Sequence, residues 1–309
     1  MLIHLQYLNY LLIQQRDSKH IFFKFRLHHM IIKTRFAAAA ILLMVAFGCS
    51  QNAENGSTAD STATDSVLAG NLETETQVQD FVQSLPSPIH IAKIFQRAGL
   101  KYISGLTNPA GNASKYLSPY SQSINLGVYT TDLSYCTFNN QSQESITYFK
   151  AVKTMTDKLN LTSIFESTQL LPRFEKNIGN TDSMVTLMAL MSMESDFLLK
   201  QTSRMDIAYL SFAGAWIEST YIATQMLKNK RNPDILNKLL DQSHSLGKLI
   251  KLLDSYKDKE DFAGLIAGLS DVKASLDVLN SENTITHEEE FKKLVEKVEK
   301  LRNEVVNDN

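Results

Sequence analysis

In the stretch INLGVYTTDLSYCTFNNQ, residues Asn125, Tyr129, Asp132 and Cys136 are spaced so that a helix gathers them on one face. The later stretch RMDIAYLSFAGAWIESTYIATQ does the same with Arg204, Ser211, Gly214, Glu218, Tyr221 and Gln225. Two mostly apolar helices thus each carry a polar stripe with one carboxylate in it. A carboxylate inside a helical core must be paired and hydrogen-bonded, or its pKa shifts and it goes neutral. Arg173 and Arg204 are the cations expected to serve, and Tyr129 and Tyr221 the donors. The commoner use of such groups is a satisfied network that fixes helix register. The functional alternative is a polar-lined pocket for a small ligand, with Trp216 as a wall and Gly214, between Ala213 and Ala215, letting helices approach closely. A third reading makes Asp132 and Glu218 the acid and base of a hydrolase or lyase. Asn125, Tyr129, Asp132, Arg173, Arg204, Trp216, Glu218 and Tyr221 are the candidate site residues, and no catalytic role is assigned among them.

Other chemistry is weaker. Met184, Met188, Met191 and Met193 fall on one helix and offer thioethers to periplasmic Cu(I), but Leu187, Leu190, Phe197 and Leu198 surround them, and adaptable core packing is the commoner use. Asp241 and His244 give one carboxylate-x-x-His where a di-iron bundle needs two. No nucleotide loop, zinc spacing or nucleophile elbow occurs, so the expectation is a non-enzyme with no metal or cofactor. With Cys49 acylated, only Cys136 remains as a thiol, and it reads as a buried small hydrophobe.

Asn125 to Tyr129, Asp132 to Tyr135, Trp216 to Glu218 and Tyr221 resemble a family of lipid-anchored helical proteins of Gram-negative bacteria with no assigned function. The resemblance covers the body from Ser87 to about Leu279. It implies a helical fold and a lipoprotein location, and supplies no catalytic residues.

The elements that must hold these stripes read as helices almost throughout. Ser87-Pro88 is a helix start. From Pro119 the pattern predicts helices near 119–138, 142–158, 162–178, 181–202, 204–229, 233–255, 259–279 and 286–306, with Pro172 kinking or splitting the third. Phe262, Leu265, Leu269, Val272, Leu276 and Leu279 repeat at spacings of three and four, as do Phe291, Leu294, Val298, Leu301 and Val305. Narrow seams on charged helices suit bundle members with short connections, or, for the last helix, a coiled-coil contact with a partner. Acids follow His287, with Thr286 as a cap. The expected fold is an all-α bundle of seven or eight largely antiparallel helices.

What precedes the bundle concerns address. From Met30 the chain has a basic start (Lys33, Arg35), an apolar run from Phe36 to Phe47 and a Gly48-Cys49 junction, which together read as an export signal. The run is about 12 residues, against the ~20 that a membrane-spanning helix needs. Ala46-Phe47-Gly48-Cys49 resembles the lipobox of bacterial lipoproteins, which implies acylation of Cys49. Residues 1–29 are expected to be sequence upstream of the true start, 30–48 the signal, 49–80 a disordered tether without Lys or Arg, and 81–309 an all-helical domain. Six of the 31 basic and one of the 33 acidic residues precede Cys49, so the mature chain carries 25 against 32 and is net −7. That balance excludes a nucleic-acid partner as the expectation and leaves membrane attachment to the lipid. Ser50 stands where an aspartate would signal inner-membrane retention, by resemblance to known sorting signals. The expectation is an outer-membrane lipoprotein, facing periplasm or exterior, that engages a small ligand or an envelope protein.

Overall fold

The computed structural model describes residues 88–281 and 288–307. The upstream stretch, signal, Cys49 and tether, and the cap proposed at Thr286, lie outside the described residues. Within them the fold is all-α. The helices are α1 (Pro88–Arg97), α2 (Pro119–Phe138), α3 (Ser142–Lys158), α4 (Ser163–Thr168), α5 (Leu170–Lys176), α6 (Thr181–Gln201), α7 (Met205–Asn229), α8 (Pro233–Leu240), α9 (Gln242–Leu253), α10 (Glu260–Ser281) and α11 (Glu288–Asn307). No described helix is long and apolar enough to cross a membrane.

Local chemistry sets most boundaries. At the start of α2, Ser118 Oγ accepts from the Ser121 N–H and Pro119 takes the first helical position. Asn180 and Asn232 cap α6 and α8 in the same way. At C-termini, Gly99, Asn140, Asn160 and Ser203 sit at positive φ, and the residue after each sends its N–H back into the last turn, as Gln141 does to the Cys136 carbonyl at 2.9 Å.

Helices are more numerous than expected because two predicted ones are interrupted. The stretch 162–178 splits at Gln169, in the left-handed region at φ 49°. Pro172 cannot sit in a helix interior without losing a bond and clashing with the carbonyl four residues back. Breaking at Gln169 places it in the first turn of α5, where no N–H is needed. The stretch 233–255 is interrupted for one residue at Asp241.

α2 and α7 are buried nearly all round, as expected of helices at the centre of a larger domain. They cross in close contact. A Cβ built on Gly127 would lie 1.7 Å from the Ser211 carbonyl oxygen, and one on Gly214 1.9 Å from that of Ile124. Hydroxyls stitch the crossing: Ser211 Oγ donates to the Ser123 carbonyl at 2.9 Å and Thr131 Oγ1 to that of Ala215 at 3.3 Å. These contacts climb in the same direction on both helices, so the central pair is parallel. The pairs α2 with α3, α9 with α10, and α10 and α7 with α11 run antiparallel.

The crossing divides the core. One apolar cluster joins α7 to α8–α11 around Trp216, Leu249, Leu276 and Leu294. The other joins α2 to α3–α6 around Leu133, Phe149, Phe174 and Met188. The seam of α11 is buried within the chain's own body, against α7 and α10.

Candidate functional site

The two polar stripes meet at one place, and the cation there is one that neither stripe supplies. Glu218 on α7 takes a two-point bond from Arg302 on α11, with Nε to Oε2 at 3.0 Å and Nη2 to Oε1 at 3.1 Å. Arg302 Nη2 also donates to the Leu106 carbonyl at 3.3 Å, and its guanidinium lies 4.5 Å from the centre of the Tyr221 ring. Arg204 instead donates to the Leu159 carbonyl at 2.8 Å, at the start of α7, and Arg173 lies exposed on α5. The expectation that Arg173 and Arg204 partner the carboxylates is therefore corrected. Arg204 sits more than three helical turns from Glu218 on α7, and Arg173 belongs to the short helix on the other side of α2.

Arg302 carries a signal that was passed over. Phe291, Val295, Val298, Arg302 and Val305 repeat at spacings of four, three, four and three, so an arginine occupies an apolar slot of a heptad.

Asp132 and Glu218 have no exposed surface. Asp132 Oδ2 accepts the Asn108 N–H at 3.1 Å, while no donor reaches Oδ1. Burial, then the neighbouring charge of Glu218, raise the Asp132 pKa well above its ordinary 3.8, and Arg302 opposes them. The direction of that shift favours a protonated Asp132, which would be able to donate to Glu218. Burial also raises the Glu218 pKa, against the pull of Arg302. Burial works against the charge on Arg302, and Glu218 overrides it. One cation, one anion and one neutral acid leave the cluster without net charge, which is how such groups tolerate a core.

The remaining candidates knit backbone to backbone. Residues 98–118, with a 3-10 turn at Ala110–Ser114, pass over α2 without regular pairing, so their polar groups need side-chain partners. Tyr129 donates to the Pro109 carbonyl at 3.1 Å and Tyr135 to that of Lys101 at 3.0 Å. Asn125 Nδ2 reaches the Val305 carbonyl at 3.0 Å and the Tyr116 hydroxyl that of Val306 at 2.9 Å, closing the open end of α11. Trp216 is buried without an acceptor for Nε1. Cys136 is fully buried, and burial pushes its thiol pKa up. Asn108 and Tyr116, which precede α2 and were not among the candidates, are integral to this network. Asn108 Nδ2 donates to the Tyr116 hydroxyl at 2.9 Å.

The methionines do not form one stripe. Met184, Met188 and Met191 are buried in the core, while Met193, on the opposite face of α6, is 66% exposed.

An open cavity lies elsewhere, beside the glycine crossing. It measures about 160 Å³, between α2, α3, α6 and α7, with walls from Leu126, Val152, Leu161, Met191, Leu199 and Phe212. None of the eight sequence-predicted candidates lines it. Asn125, Tyr129, Asp132, Glu218 and Tyr221 belong to the network, Trp216 is buried without a bond to it, and Arg173 and Arg204 stand outside it.

Comparison with protein-family models, with curated proteins and with solved structures returns no match to this chain.

Proposed function

We propose that this chain is an outer-membrane lipoprotein, acylated at Cys49, whose helical body is a non-catalytic binding module. The observation that carries the binding reading is the cleft. It is apolar, open on one side and framed by four helices, the kind of concavity in which small ligands are held. The carboxyls of Asp132 and Glu218 have no exposed surface and are committed to Arg302 and Asn108, which supports a register-fixing role over an acid and base pair of a hydrolase or lyase. The net negative charge of the mature chain speaks against nucleic acid, and leaves a small ligand or an envelope protein as partner. The address rests on the sequence from Met30 to Ser50 and on the resemblance to lipid-anchored helical proteins. Mass spectrometry of the mature N-terminus tests it: Cys49 carrying a diacylglyceryl group is expected, and an unlipidated end at another residue would sink it.

A further inference from the structure

We propose that the cleft binds a small hydrophobic ammonium ion, with its apolar body among Leu126, Val152 and Leu161 and its charge against Asp196. The proposal rests on the binding-module reading and adds the ligand's chemistry.

Size comes first. A closed apolar cavity of about 150 Å³ holds benzene, so the 160 Å³ here suits a six-carbon ring or chain with a short polar end projecting from the open side.

Polarity comes from the hydroxyls. Thr130, Thr156 and Ser195 line the cleft, and each donates its hydrogen to its own helix, to the carbonyls of Leu126 at 2.7 Å, Lys153 at 2.8 Å and Met191 at 2.8 Å. Ser211 donates to Ser123. A hydroxyl whose hydrogen is spent can only accept. The lining therefore offers a ligand acceptors, and four of its hydroxyls have no hydrogen left to donate.

Charge gives the sign. Asp196, an exposed carboxylate, is the one charged residue of the lining, which holds no Lys, Arg or His. Among the described residues it has neither an ion pair nor a hydrogen bond, and Lys200, one turn along α6, acts on it only at range. An apolar slot with acceptors and an unmatched carboxylate selects an apolar donor of positive charge. An anion would meet repulsion from Asp196, with only the Ser192 and Tyr209 hydroxyls left to donate to it.

The test is a ligand-observed NMR titration of the full chain at neutral pH with benzylammonium, benzyl alcohol and benzoate. Benzylammonium should bind about threefold tighter than benzyl alcohol, as suits a solvent-facing ion pair, and benzoate weakest of the three. In Asp196→Asn, benzylammonium and benzyl alcohol should bind alike. Ser192→Trp places bulk in the lining and should abolish binding of all three while the melting temperature holds. Benzyl alcohol or benzoate binding the wild type as well as benzylammonium overturns the ammonium proposal and leaves a ligand cleft standing. No binding by any probe, or binding unaffected by Ser192→Trp, overturns the cleft as a ligand site as well.

Discussion

Replacing Glu218 by glutamine leaves Arg302 buried without its counter-charge, whereas replacing Asp132 by asparagine mimics the protonated acid that the fold already holds. Glu218→Gln should therefore cost about 3–5 kcal/mol in urea denaturation; a loss under about 1 kcal/mol would remove the pairing from the account of stability. Asp132→Asn should cost far less, and its effect should depend on pH. Asp132 keeps its proton when folded and sheds it when unfolded above its ordinary 3.8. The folded state then binds more protons, so stability falls as pH rises from about 4 toward the raised folded value, where the loss is complete. Melting curves at about pH 5 and about pH 8 should show the wild type losing midpoint and Asp132→Asn losing less. Equal slopes would mean Asp132 is ionised in the fold. At this scale the sequence showed that two carboxylates would share the core and need a cation. It did not show which cation, because Arg302 lies 84 residues from Glu218 and its helix is crowded with exposed charges.

At the level of elements, the glycines of the α2–α7 crossing and the glycine on the open face of α10 should respond with opposite signs to the same change. Gly127→Ala or Gly214→Ala drives a methyl into the facing backbone, which cannot give way as a flexible side chain can, and should cost roughly 3 kcal/mol. Nothing lies within 4 Å of a Cβ on Gly264, so Gly264→Ala should gain about 0.5–1 kcal/mol from helix propensity. Thermal denaturation of the three variants checks both signs; a neutral Gly127→Ala would mean the helices do not cross this closely. Most helices were legible, since caps, prolines and apolar spacing are local signals. Pro172 announced a break but not its position, which the left-handed turn at Gln169 decides. The direction of α2 relative to α7 was not legible. Periodicity tells which face is buried and is silent on whether the neighbour runs up or down.

For the molecule as a whole, α11 supplies Arg302 and the carbonyls of Val305 and Val306 to groups on α2, α7 and the segment before α2. Removing residues 282–309 takes away the cation and exposes the seams of both α7 and α10. The truncated chain should lose its cooperative thermal transition. Retention of that transition would return the last helix to the role of a docking arm for a partner. The cleft was illegible for a different reason: it is bounded by a few residues from each of several helices, and no one stretch of sequence contains enough of it to be noticed.

The Tyr116 hydroxyl and the Val306 carbonyl are separated by 190 residues along the chain. Closing such a contact is entropically slow, and it can be made only after every intervening helix has been synthesised. Until α11 packs, the Glu218 carboxylate lacks the guanidinium that balances it, so the site where α2 and α7 meet is expected to be completed late.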